Sequence, residues 1–151
     1  MGLRINPKVM FNDKGEVMWR LDGACDSTWG SNEEDSRSVT WCVLHFMGVL
    51  VAWKSKSQPN VSLSSSEAEC VSISELVKET SFALKILEDV CIKVEPPVKI
   101  FVDNMGAINM VRNNAVCNGT RHVNVRCHFV RELHKKVVMM HCRESGKMRQ
   151  T

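Results

Sequence analysis

Tyrosine is missing altogether from this chain of 151 residues. No Cys-x-x-Cys pair occurs either, although there are seven cysteines, at 25, 42, 70, 91, 117, 127 and 142. An odd count without close pairs gives no disulfide framework and no zinc ribbon, so the cysteines are expected to be reduced thiols of an intracellular chain, cytoplasmic or nuclear. No secretory apolar core and no run long enough to cross a bilayer is present, so no membrane partner is expected. Internal repeats and low-complexity tracts are lacking as well. Excess charge of one sign is small: the net charge is +3 and the pI near 8.5. That permits a nucleic-acid partner without arguing for one, because bulk charge says nothing about clustering.

What is present is enough for one domain with a core and not for two. Hydrophobic residues make up 44% and charged residues 25%, as in ordinary globular domains. Residues 1–16 are polar and turn-rich and read as a lead-in, leaving 17–151 as the domain. Residues 17–25, 39–46 and 49–53 read as strands, the last two joined at Met47-Gly48, with a short strand piece at 61–63. Lys54 to Asn60 reads as a basic turn. One of Ser64, Ser65 and Ser66 caps a long helix that runs to about Val90, with an apolar face from Ala68 through Val90. Pro96-Pro97 breaks the pattern, and the apolar strand Val98–Val102 follows, ending on Asp103. A short helix from Asn104 to Arg112, a further helix over 122–135 and a last strand over 137–140 complete the order β-β-β-α-β-α-α-β. An antiparallel meander followed by alternating α and β predicts an α/β fold: a five-stranded mixed sheet, with parallel strands beside the meander, flanked by helices.

Sites in such sheets gather at the carboxyl ends of the strands, where Asp103 stands. A right-handed crossover through the long helix sets the Asp103 strand beside the first strand. Asp26 on that first strand and Glu69 in the first turn of the helix can then converge with Asp103. Alone, each acid is ordinary; an Asp after an apolar strand most often forms a turn or caps a helix. Together, three carboxylates with no nitrogen or sulfur donor suit Mg²⁺ or Mn²⁺. Two such ions about 3.5–4 Å apart activate water and stabilise a leaving oxygen in phosphodiester hydrolysis. Lys54, Lys56 and Asn104 are weaker candidates for nucleic-acid contact, and a solvated basic turn explains the two lysines equally well. Trp19, Trp29, Trp41 and Trp53 include a possible base-stacking platform, although core packing suits most of them. His122 and His128 do not share a helix face, so surface or capping roles suit them better than metal binding.

Cys25-Asp26-Ser27-Thr28-Trp29, Ser38-Val39-Thr40, Ala52-Trp53-Lys54-Ser55-Lys56-Ser57-Gln58, Leu63-Ser64-Ser65-Ser66-Glu67-Ala68-Glu69, Val102-Asp103-Asn104-Met105-Gly106-Ala107-Ile108 and residues 120–132 resemble the ribonuclease H domain of copia-type retrotransposon Pol polyproteins. Gly2-Leu3-Arg4-Ile5 resembles the segment leading out of the reverse transcriptase. The resemblance implies a ribonuclease H-like fold and hydrolysis of the RNA strand of RNA–DNA hybrids with Mg²⁺ or Mn²⁺. It implies Asp26, Glu69 and Asp103 as metal-binding, catalytic acids, Glu67 as the non-catalytic acid of its motif, and a reverse transcriptase domain as neighbour in the parent polyprotein. A monomer is expected.

The chain departs from that family in several places. A fourth acid, in an Ala-Asp-x-x-Thr-Lys segment, is matched near Gln150 by no carboxylate, and Glu144 stands too early to replace it. Thr28 and Asn124 stand where the family has Asp, Trp41 where it has Gly, and Cys70 and Cys127 where it has Tyr. These exchanges read as a degenerate or truncated copy with weakened cleavage. The alternative is an inactive remnant that serves, if at all, as a nucleic-acid-binding or structural domain.

Overall fold

A computed structural model describes residues 7–30, 36–112, 121–134 and 138–142. The sheet is built from β1 (Leu21–Thr28), β2 (Val39–Phe46), β3 (Val49–Ser57), β4 (Val98–Val102) and β5 (Val138–Cys142). Their spatial order is β3-β2-β1-β4-β5. β1 and β2 pair antiparallel, as do β2 and β3, whereas β4 runs parallel to both β1 and β5. This is the mixed α/β sheet that the element order implied. Alternation sets its two faces. Leu21 and Cys25 on β1, Thr40, Cys42 and Leu44 on β2, and Val98, Ile100 and Val102 on β4 are buried. Asp22, Ala24 and Asp26 fall between them on the opposite face.

The long helix α1 (Ser65–Asp89) begins where Ser64, in extended backbone, accepts a hydrogen bond from the Glu67 N–H. Glu67 reaches back to accept the Leu63 N–H at 2.8 Å, which closes a reciprocal cap. Ile73, Leu76 and Val77 drive into the sheet, and no residue of the helix after Thr80 is fully buried. The apolar face expected through Val90 therefore thins over the last turns, where Phe82, Ile86 and Val90 are exposed. Then α2 (Met105–Arg112) and α3 (Arg121–His134) carry the chain from β4 to β5. Both parallel connections, β1 to β4 and β4 to β5, step across the sheet in the same direction. Right-handed crossovers therefore place α1, α2 and α3 on one face. Val111, Val123 and Val130 join Ile73, Ile100 and Val102 there in a single core. Among the described residues, no helix is long and apolar enough to cross a membrane.

Several local expectations are corrected. Lys54, Lys56 and Ser57 lie in β3 rather than in a turn, because β3 pairs with β2 over its whole length, from Phe46↔Val49 to Val39↔Ser57. Residues 61–63 form no strand; the Ser62 carbonyl and the Leu63 N–H are taken by Trp29 and Glu67. Trp41, where the family has Gly, pairs with Asp26 and Ser55 and is only half-buried on the face away from the helices. Cys70 on α1 and Cys127 on α3 are joined as a disulfide across 57 residues of sequence, so the reduced-thiol reading fails for that pair. Spacing carries no signal for two positions that meet only because the buried faces of α1 and α3 cross. Cys25, Cys42 and Cys91 are free thiols. In the lead-in, the Lys8 N–H bonds to the Met47 carbonyl, and Phe11 and Val17 form an antiparallel bridge.

Candidate metal centre

Asp26, Glu69 and Asp103 each reach the site from a different element. The parallel register Ala24↔Phe101, continued two residues along both strands, sets Asp26 beside Asp103 at the carboxyl end of the sheet. Glu69 enters from the second turn of α1, on the face that packs against β1. One ligand oxygen from each of the three lies within 4.8 Å of the others. Asp103 is exposed, Asp26 is half-buried, and Glu69 is 3% exposed.

Ser27 holds this arrangement. Its N–H donates to Asp26 Oδ1 at 2.7 Å and to Glu69 Oε1 at 2.8 Å, and its hydroxyl lies 3.1 Å from the same Glu69 oxygen. The other oxygen, Glu69 Oε2, is buried with no hydrogen-bond partner. An acceptor left in that state is costly unless a proton or a cation meets it. Burial, then the Asp26 carboxyl close beside it and the charges of Asp26 and Asp103, push the Glu69 carboxyl up to about 8, against the pull of the Ser27 N–H. Burial, and then the Glu69 charge, also raises the neighbouring Cys25 thiol well above its ordinary value. An all-oxygen donor set, one member of which has an oxygen lacking a donor, fits a hard divalent cation.

The other sequence candidates lie elsewhere or serve other ends. Lys54 points to α1, 3.0 Å from Glu75 and 3.1 Å from Glu79. Lys56 is exposed on β3. Asn104 caps α2: its Oδ1 accepts the Ala107 N–H at 3.1 Å and sits 3.4 Å from Ser66 Oγ. That cap fixes the turn directly after Asp103. Thr28 closes β1 and Asn124 lies on α3. Glu144 and Gln150 lie outside the described residues. Sequence reasoning missed Ser27, whose only signal was its place next to Asp26, and the buried network around Gln58. Gln58 Nε2 donates to Thr40 Oγ1 and to the Ala68 carbonyl, both at 2.9 Å, and its Oε1 accepts from the Ser62 hydroxyl.

Among solved structures, the chain resembles the ribonuclease H1 LC11, isolated from compost by a metagenomic approach. The TM-score is 0.57 at 11% identity, covering 83% of this chain and 86% of that one. The fold is that of ribonuclease H. A second structure of LC11, in complex with an RNA/DNA hybrid, matches this ribonuclease H fold at a TM-score of 0.50 and 10% identity, over 83% of this chain and 87% of that one. In sequence, the homologues are retrovirus-related Pol polyproteins of copia-type transposons. TNT 1-94 of Nicotiana tabacum is 29% identical over 75% of this chain, and RE1 of Arabidopsis thaliana is 27% identical over 81%. The chain spans about 8% of the length of each of these relatives. A 60-residue stretch is also 37% identical to secreted RxLR effector protein 161 of Plasmopara viticola, covering 40% of this chain and 42% of that one. No family model matches.

Proposed function

We propose that this ribonuclease H-like domain is a divalent-metal phosphodiesterase of retrotransposon Pol origin, directed at the RNA strand of an RNA–DNA hybrid and neighbour to a reverse transcriptase in its parent polyprotein. The observation that carries this reading is the convergence of Asp26, Glu69 and Asp103, with one Glu69 oxygen buried and lacking a donor. Those three residues would hold Mg²⁺ or Mn²⁺, which when bound supplies positive charge for the phosphate and acidifies the attacking water. The protein's own part is to place and orient. Ser27 fixes the Glu69 carboxylate, and the Asn104 cap fixes the backbone behind Asp103. Asp103 is exposed, so a phosphate backbone can approach it from solvent.

Three acids hold one ion well, since Mg²⁺ completes its shell with water and phosphate. With Gln150 near the place of a fourth acid, a second ion has fewer charged ligands. Hybrid cleavage by the unaltered chain is therefore expected to be feeble in Mg²⁺ and partly rescued in Mn²⁺, which binds such donors more tightly. The same departure supports a second reading, a nucleic-acid-binding remnant without catalysis. The deciding experiment is cleavage of an end-labelled RNA–DNA hybrid in each metal. Asp103→Asn should remove whatever activity exists, by more than the ~10–100-fold that loss of an outer-sphere partner costs. Gln150→Asp should raise it. Robust cleavage in Mg²⁺ that survives Asp103→Asn would overturn the site. Hybrid binding without cleavage in either metal would establish the second reading.

A further inference from the structure

The four tryptophans have different fates. Trp19 stacks on Phe46 with ring centroids 5.7 Å apart, and Trp41 is half-buried within β2. Trp53 is 75% exposed on the edge strand β3, and Trp29 is 56% exposed. Trp29 differs from Trp53 in how it is mounted. Its indole N–H donates to the Ser62 carbonyl at 3.0 Å. Ser62 is itself held by Gln58, and Gln58 by Thr40 and the Ala68 carbonyl. Ser62, Gln58 and Thr40 are all buried. The Gly30 N–H, next in the chain, donates to the buried Ser38 hydroxyl. A polar network within the molecule thus fixes a ring whose apolar surface is given to water.

Its place matters as much as its mounting. Trp29 follows Asp26 by three residues at the end of β1, and Ser62 lies just before the Ser64 cap of the helix that carries Glu69. The Trp29–Ser62 bond therefore ties together the two segments that supply Asp26 and Glu69. Val61 and Leu63, on either side of Ser62, are also exposed, so the segment that holds Trp29 carries further apolar surface. Burying Trp29 would stabilise the fold, and the fold instead holds it rigid and open. An immobilised aromatic face of this kind loses little entropy when a flat ligand settles on it.

We propose that Trp29 is a substrate-contacting residue, its exposed indole face receiving the sugar and base of a nucleotide in the strand whose phosphate meets the acids. This rests on the nucleic-acid reading above. The indole N–H is already spent on Ser62, so the contact is made by the ring face alone. It is accordingly tolerant of base identity, since every base and every sugar offers an apolar face.

The test is the Kd for a fluorescently end-labelled RNA–DNA hybrid, measured by anisotropy on the full chain with Ca²⁺ in place of Mg²⁺. Trp29→Ala should raise Kd roughly five- to a hundredfold, the range of losing one stacking contact, with the binding amplitude unchanged. Trp29→Phe keeps an aromatic face and should fall between the two. Trp53→Ala, the loss of a still more exposed indole away from the acids, should leave Kd unchanged. A merely structural role for Trp29 would lower the folded, binding-competent fraction and leave Kd alone, and that result overturns the proposal. So would equal weakening by Trp53→Ala. Failure of the unaltered chain to bind hybrid would overturn the nucleic-acid reading itself, an outcome distinct from either.

Discussion

Glu69 shows how much a single side chain is asked to bear. A carboxylate packed under helix and sheet, with one oxygen held by Ser27 and the other lacking a donor, is a poor anion in the absence of a cation. Its folded pKa stands near 8 against 4.5 in an unfolded chain. Between those values the unfolded chain binds fewer protons than the folded one, so without metal the fold loses stability as pH rises across that window. A shift of this size corresponds to on the order of a few kcal/mol. Thermal unfolding in a chelator at pH 5 and at pH 8 should show that loss for the unaltered chain and a much smaller one for Glu69→Gln. Equal pH slopes for the two would mean that Glu69 is not the group responsible. The acid itself is plain in the sequence, as the second Glu of Glu67-Ala68-Glu69. Its burial and its partnership with Ser27 depend on a contact made 42 residues away.

At the scale of elements, the approach of α1 to β1 decides how far Glu69 reaches. Gly23 makes that approach possible. A Cβ added there would meet Leu76 Cδ1 at 3.0 Å and the Val43 carbonyl at 3.1 Å. Leu76 is fully buried and the carbonyl belongs to a paired strand, so neither neighbour yields cheaply. Gly23→Ala should cost about 1–3 kcal/mol in urea unfolding, as overpacking does, and weaken metal binding by displacing α1. Retention of both stability and metal affinity would show that the helix can shift without moving the site. The helix was legible from its Ser cap and periodic apolar residues. The need for glycine in the strand beneath it was not, because the residue that demands the space lies 53 positions away in sequence.

Across the whole molecule, Glu75 ties three elements together. It sits 3.0 Å from Lys54 on β3, 3.0 Å from Lys78 on its own helix and 2.9 Å from Arg126 on α3. Burial pushes the Glu75 carboxyl up, but hydrogen bonds from Lys78, Lys54 and Arg126 prevail and hold it down near 2. A folded pKa below the unfolded 4.5 gives stability that is complete above about pH 4.5 and lost as pH falls towards 2. This window lies on the acid side of the one set by Glu69, so the two can be read separately. Glu75→Gln should cost about 1–2 kcal/mol at neutral pH and flatten the acid limb of the stability profile, with a smaller effect in high salt. An acid limb identical to that of the unaltered chain would show that the network adds nothing to cohesion.

The order of elements, the mixed sheet and the three acids could be read from the chain itself. Strand alternation, helix caps and apolar periodicity are local properties, and the handedness of crossovers converts them into a topology. The run Val98–Val102 ending on Asp103 already implied a parallel neighbour for the strand of Asp26. What the tertiary structure alone decided is which polar groups meet across long separations. Lys54 turned from a candidate phosphate contact into a partner of Glu75 and Glu79, because β3 continues to Ser57 and faces α1. Asn104 became a helix cap, and Cys70 found Cys127 where α1 and α3 cross. Trp29 and Trp53 look alike in sequence, and only the bond to Ser62, itself held through Gln58 and Thr40, ties one of them to the segment that leads into the helix of Glu69. Patterning specifies which face of an element is apolar. The register and approach of packed elements choose the partners, and neither is written in any single stretch of residues.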